Sequence, residues 1–372
     1  MTYKYAKVIF FSDIMDIETR MNLIEEVGEE IITKEELRQL LETKEHPIAY
    51  DGFEPSGRMH IAQGIYRAIN INKMLKAGFK FKILIADWFA WMNNKFEGDI
   101  DKIRVAGDYF IEAWKACGMK TDKIDFVWSK NVVEDKEHWK LTLKIAKSVT
   151  LQRILRCSQI MGRHQNEILS TAQVIYPCMQ AADIFHLKCD VTQLGMDQRK
   201  VNVLAREIAP KLGLWKPIVI SHHMLLGLQK PISTSDDPSE RILDIKMSKS
   251  KPDSAIFIDD SEGDIIRKIN KAYCPEKTVE NNPILEYCKY IIFEMQKDFK
   301  VERPSKFGGD IVFENYHQLE NIYKEGNLHP QDLKNAVAYA LNKILSPVRE
   351  HFEKNTKAKR LSEIIKSQKI TR

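Results

Sequence analysis

The amino-acid sequence predicts an α/β protein, with a parallel sheet within residues 1–260 and a smaller all-helical domain over residues 261–372. Three observations predict it. Short strand-like runs alternate with helical periods in the first half, the order that builds a parallel sheet with right-handed crossovers. A stretch rich in Ser, Pro, Asp and Lys, Gly227 to Asp253, has no hydrophobic period and reads as a mobile loop or hinge. Beyond residue 261 only helical pattern recurs. A length of 372 residues suits two domains.

Thr33-Lys-Glu-Glu36 has the form of a capping box ahead of Leu37, Leu40 and Leu41, and that helix must stop at His46-Pro47. Ile48 to Phe53 reads as a short strand and Glu54-Pro-Ser-Gly57 as the loop after it. From His60 to Lys76 the apolar Ile61, Ile65, Ile69 and Met74 recur near helical spacing, with Gly78 as the stop. Phe79 to Ala86 is a second buried strand, a helix follows over about Asp99 to Cys117, and Ile124 to Trp128 is a third strand. Helical pattern covers Lys136 to Gln159 and Thr171 to Leu187, and Pro217 to Ile220 adds another strand. The assembly is Rossmann-like. In the second domain Ser261-Glu-Gly-Asp264 opens a helix, and Leu333, Val337, Leu341, Ile344, Val348 and Phe352 form one stripe, with a kink expected at Pro347.

Composition excludes several classes. Hydrophobic residues are 44% and charged residues 29%, with 16 Gly and 13 Pro, which is globular rather than fibrous or disordered. No apolar run approaches a membrane span, and the N-terminal run Val8 to Phe11 is too short for a signal peptide, so a cytoplasmic protein is expected. The six cysteines form no CxxC pair, which fits unpaired thiols and no metal site. The net charge of +5 is uneven: residues 331–372 hold ten Lys/Arg and four Asp/Glu, a net of +6, while the rest sums to −1. A basic tail on a near-neutral body fits a polyanion partner or a solvated Lys-rich helix.

Two segments carry phosphate chemistry. In the first, Tyr50 to Gln63, a strand runs into a Gly-containing loop and a helix whose first turn carries His60, so backbone N–H groups and an imidazole face an anion. Gly52 lets backbone approach a purine ring, and Gln63 shares the His60 face. In the second, Lys246-Met-Ser-Lys-Ser250, Lys246 and Lys249 can both reach one polyphosphate from a loop able to close. Alone, each could be an ordinary loop. Their order, about 185 residues apart, argues against coincidence. Tyr176, Gln180 and Asp183 fall at i, i+4 and i+7, giving one helix face that is polar and aromatic where a core face would be apolar. That face is either a satisfied core network or a pocket for a phenol.

His60-Ile-Ala-Gln63 resembles the HIGH signature of class I aminoacyl-tRNA synthetases, and Lys246 to Ser250 reproduces their KMSKS signature. The chain most resembles tyrosyl-tRNA synthetases of archaeal and eukaryotic type, from about Asn22 to Phe352. Supporting segments are Tyr50 to Gly57, Val174 to Asp183, Gly195 to Lys200, Lys271 to Pro275, Lys306 to Asp310 and Leu328 to Lys334. Four departures stand out: Gln63 in place of the second signature histidine, Phe89 where many relatives have His, a longer approach to KMSKS over Gln229 to Ile245, and Lys249 retained where many carry Ser.

The resemblance implies that Tyr50 and Asp183 hold the hydroxyl of a substrate tyrosine and that Tyr176, Gln180 and Gln198 hold its α-amino end. It implies ATP, as its Mg²⁺ complex, against Gly52, His60, Gln63, Lys246, Met247 and Lys249, with His60, Lys246 and Lys249 stabilising charge. It implies a helical anticodon-binding domain in which Phe307 stacks on a base while His329 and Asp332 hydrogen-bond one, and Arg199 near the acceptor stem of tRNA(Tyr). Asp332 could equally cap its helix. A homodimer is also implied. Rival readings are a tryptophanyl-tRNA synthetase, a tRNA-independent nucleotidyltransferase, and an RNA-binding protein with a dead site.

Overall fold

The structure is a computed structural model that describes residues 15–161, 169–232, 241, 245–247, 249 and 251–368. The strands are β1 (Glu30–Ile32), β2 (Ile48–Phe53), β3 (Lys80–Ile85), β4 (Ile124–Trp128), β5 (Val191–Gly195), β6 (Ile218–His222), β7 (Phe299–Val301) and β8 (Ile311–Phe313). The longer helices of the sheet region are α1 (Ile17–Glu25), α2 (Lys34–Thr43), α3 (Ile65–Lys76), α4 (Ile100–Ala116), α5 (Lys136–Ser148), α6 (Thr171–His186) and α7 (Arg199–Ile208). After it come α8 (Glu262–Lys271), α9 (Tyr316–Glu325), α10 (Pro330–Lys354) and α11 (Thr356–Ser367).

Strands β1 to β6 form a sheet in the order β1-β6-β5-β2-β3-β4, parallel throughout except for the antiparallel edge pair β1–β6. The period of two decides which face each residue serves. Ala49 and Phe53 of β2 join Phe81, Ile83 and Ile85 in one apolar cluster, while Tyr50 and Leu84 point into a second cluster with α6 and α7. Strand β2 leads through α3 to β3 on one side and is flanked by β5 on the other. The crevice beyond the carboxyl ends of β2 and β5 is therefore the topological switch point, where open α/β sheets take their ligands.

Local signals account for the expected elements. Thr33 accepts from the Glu36 amide at 3.2 Å, Asp99 caps α4, and Ser261 accepts from the Asp264 amide at 3.1 Å. The differences have physical causes. His60 is not in a helix: Ile61 N–H donates to Ile256 O at 2.9 Å and Ile258 N–H to Met59 O at 3.0 Å, so this bridge takes His60 out of the helix, a turn closed by Gly64 N–H on His60 O at 2.9 Å follows, and α3 starts at Ile65. The helical stretch expected over Lys136 to Gln159 breaks at Val149, which is extended, and Thr150 caps a new turn at Leu151–Leu155.

Strand β5 has no apolar run to betray it: polar Thr192 and Gln193 are buried in the middle of the sheet, where Gln193 Nε2 meets His222 Nδ1 at 2.8 Å. The edge strand β1 is likewise too short to read from pattern. The region after residue 261 is not all helical. Phe299 and Val301 are buried around exposed Lys300 in the antiparallel ribbon β7–β8, whose connection contains Gly308 and Gly309 at φ +97° and +73°. Helix α10 runs through Pro347 from Pro330 to Lys354 without interruption.

Candidate active site

A cavity of ≈ 690 Å³ opens at the switch point, and Tyr50, Gly52, His60, Gln63, Tyr176, Gln180, Asp183, Gln198, Lys246, Met247 and Lys249 all border it. Segments more than 190 residues apart thus meet around one space. Ser248 and Ser250, and most of the stretch from 233 to 244, lie outside the described residues.

At one end, α6 presents Tyr176, Gln180 and Asp183, all buried. The Tyr176 hydroxyl donates to Glu54 Oε1 at 2.5 Å, which also accepts from Asn93 Nδ2 at 2.6 Å. Gln180 Nε2 donates to Gln198 Oε1 at 3.1 Å, and Gln198 Nε2 to Ile160 O at 3.0 Å. Asp183 Oδ1 is met by His138 Nε2 at 2.9 Å, but its buried Oδ2 has no partner. Burial raises the Asp183 carboxyl, with His138 opposing, and pushes the Tyr50 and Tyr176 phenols well above their ordinary range. Both phenols therefore stay protonated and can donate. Phe89 meets Tyr176 edge-on at 4.6 Å between ring centres and gives this end an apolar wall. A Cβ on residue 52 would come within 3.0 Å of the Tyr50 hydroxyl, so glycine keeps the strand end open.

At the other end stand His60, Lys246 and Lys249. Burial drives the His60 imidazole well below its ordinary range, and the two lysines add to the effect. Its Nδ1 is buried and unpartnered. Lys246 Nζ pairs with Asp197 Oδ2 at 2.6 Å. Lys249 Nζ reaches Ser56 Oγ at 3.2 Å and lies 4.7 Å from the centre of the Phe110 ring. Burial, followed by the charge of Lys95, brings the Lys249 ammonium down to about 7. Three nitrogens with suppressed or neutralised charge around one space make a site that gains when a polyanion enters.

A further buried unit bordering the same cavity was missed by sequence reasoning. Arg67 Nε pairs with Asp51 Oδ2 at 3.1 Å, and the same guanidinium contacts His222. Burial raises the Asp51 carboxyl to about 7, while the His222 imidazole is pushed far down. Glu54, Asp197 and His138 were missed too. Glu54 and Asp197 fall inside segments already marked by the resemblance, but nothing near His138 distinguishes it from an ordinary helix residue.

Four expected residues lie away from the cavity. Arg199 is paired with Glu30 at the start of α7, at 2.5 and 2.9 Å. Phe307 is 60% exposed, with Lys306 4.9 Å above its ring. Arg303 ties that turn to the connection between α9 and α10, donating to Gly309 O and to Asn327 O, each at 2.9 Å. His329 is the residue that caps α10, its Nδ1 accepting from the Gln331 amide at 3.1 Å. Asp332 lies inside the first turn and is not the cap.

Among the described residues no group of three or more His, Cys, Asp or Glu is placed to hold a metal ion, and no helix is long and apolar enough to cross a membrane.

Fold and site define the class: the family described as tRNA synthetases class I (W and Y) matches residues 42–346. Tyrosine–tRNA ligase 1, cytoplasmic, of Arabidopsis thaliana is 52% identical over 360 residues, spanning 96% of this chain and 90% of that one. The tyrosine–tRNA ligase of Thermococcus kodakarensis is 43% identical, spanning 96% of this chain and 100% of its own. The crystal structure of tyrosyl-tRNA synthetase from Pyrococcus horikoshii with L-tyrosine superposes with a TM-score of 0.86 at 40% identity, covering 94% of this chain and 100% of that one. The chain belongs to the tyrosyl-tRNA synthetases of archaeal and eukaryotic type.

Proposed function

We propose that the chain activates L-tyrosine with ATP to tyrosyl-adenylate and transfers the tyrosyl group to the 3′ end of tRNA(Tyr). One observation carries the reading. A single cavity joins a buried carboxylate with an open oxygen, Asp183 Oδ2, to a cluster of His60, Lys246 and Lys249 at the other end. The first suits a phenol, and the second suits phosphates.

Tyr50 and Asp183 take the substrate hydroxyl, and Tyr176, Gln180 and Gln198 its α-amino end. The tyrosine carboxylate attacks the α-phosphate of ATP, a new P–O bond forms, and the bond to pyrophosphate breaks. No covalent enzyme intermediate is needed. His60, Lys246 and Lys249 stabilise charge as it builds on the phosphates, while Gly52, Gln63 and Met247 border the nucleotide. ATP brings Mg²⁺ with it as the substrate complex. The terminal adenosine of the tRNA then attacks the mixed anhydride and AMP leaves.

Residues 1–260 form the catalytic domain and 261–372 the tRNA-binding domain, with Phe307, His329 and Asp332 at the anticodon and Arg199 near the acceptor stem. Phe307 supports this by its exposure beside Lys306, the arrangement that stacks an unpaired base. A homodimer is supported by Trp139 and Leu143, exposed one turn apart on α5. The cytoplasm is supported by the Arabidopsis relative's name.

The test is exchange of labelled pyrophosphate into ATP with tyrosine, tryptophan or phenylalanine. Exchange with tyrosine alone is expected. Exchange with tryptophan alone would overturn the pocket assignment, and none with any amino acid would overturn the catalytic reading.

A further inference from the structure

His138 is the third residue of α5 and is fully buried. Its Nε2 lies 2.9 Å from Oδ1 of Asp183, which is equally buried on the neighbouring helix α6. With Nε2–H donating, Nδ1 is left without a partner, as is Asp183 Oδ2. A buried polar atom with no partner is costly, so an open Oδ2 beside a cavity points to an absent donor. The histidine settles which carboxylate oxygen stays open.

We propose that His138 is a positioning residue for amino-acid selection: by donating to Oδ1 it holds Asp183 in the orientation and ionisation in which Oδ2 accepts the phenol proton of bound tyrosine. This rests on the reading above in which Asp183 meets the substrate hydroxyl. An ionised acceptor makes the stronger hydrogen bond, and leaving it unpaired under phenylalanine costs more than leaving a neutral carboxyl unpaired.

The surroundings make His138 the main group opposing burial of that charge. Facing Asp183 are Tyr50 from β2, Tyr176 and His186 on α6 itself, Cys189 just before β5, and His138 from α5, with Lys82 of β3 and Asp135 at the start of α5 further out. The two phenols and the thiol are pushed up, away from neutral pH, and the His186 imidazole is lowered by its own burial. Without His138, burial raises the Asp183 carboxyl further, so its protonated form persists to higher pH.

The experiment compares the full-length wild type with His138→Leu, His138→Gln and Asp183→Asn in pyrophosphate exchange, with tyrosine and phenylalanine, between about pH 6 and 9. For His138→Leu the tyrosine KM should rise about tenfold at pH 7 and fall back as pH rises, and tyrosine-over-phenylalanine selectivity should drop about tenfold. The KM for ATP should not move. His138→Gln keeps an N–H donor and should restore most of both. Wild-type values in His138→Leu at all pH values would overturn the proposal, as would equal losses for both substrates with no pH dependence. If His138→Leu does not fold, His138→Gln decides: selectivity within about threefold of wild type supports the donor role, and a tenfold loss overturns it. An Asp183→Asn variant with unchanged selectivity would overturn the underlying reading of Asp183, whereas loss there with a silent His138→Leu overturns the role of the histidine alone.

Discussion

At the end of the cavity proposed to take tyrosine, the side chains are held by protein partners: Tyr176 on Glu54, Gln180 on Gln198, Gln198 on a backbone carbonyl, Asp183 on His138. At the end proposed to take the phosphates, His60 and Lys249 are pressed toward neutrality by burial and neighbouring charge, and Lys246 leans on Asp197. Recognition of a hydroxyl needs fixed direction, which packing on α6 supplies. Stabilising charge that appears only during reaction needs cations whose best partner is the reacting phosphate.

That contrast predicts effects of different kind and size. Lys246→Ala and Lys249→Ala should each lower kcat of adenylation about 10²- to 10³-fold with the tyrosine KM unchanged, in steady-state exchange kinetics. A matching change in tyrosine KM would show that the ends are not separate. Asp183→Asn should act on the other end: tyrosine-over-phenylalanine selectivity should fall by about 10²-fold in kcat/KM while the ATP KM holds. Tyrosyl-tRNA synthetases are the standard illustration of such hydroxyl-based rejection, at about 10⁵-fold in total.

Further from the cavity, Phe307→Ala should raise the KM for tRNA about tenfold in aminoacylation, the worth of one stacked base, and leave pyrophosphate exchange untouched. The smallest effect is in protons. The Lys249 ammonium is lowered to about 7 in the free site, and bound phosphate restores it toward its ordinary 10.5, so ATP binding at pH 8 should take up about one proton and at pH 6 almost none. Calorimetry in buffers of different ionisation enthalpy measures this. Asp51, raised to about 7, titrates in the same window, so loss of the uptake in Lys249→Gln isolates the lysine.

Many of the residues that border the cavity were legible because local rules carried them. A strand followed by a Gly-containing loop, a helix face at i, i+4 and i+7, and a Lys-rich loop each keep their spacing whatever else the chain does. What was misread depended on partners far away in sequence. His60 sits outside the helix because Ile256 and Ile258 bridge to its neighbours, which no pattern within residues 60–76 reveals. Glu54, Asp51 and Arg67 matter because α6 and β6 bring Tyr176 and His222 against them.

The sequence by itself determined the alternation of strands and helices, the caps at Thr33 and Ser261, the polar face of α6 and the two segments around His60 and Lys246 that border the cavity, because each follows from hydrogen bonding and side-chain period within about a dozen residues. Only the tertiary structure decided that β5 is a central strand despite its polar residues, that a ribbon interrupts the helical domain, and that His138 stands behind Asp183. Those outcomes turn on burial, which withdraws polar groups from water and leaves them to whichever partner the fold brings within reach.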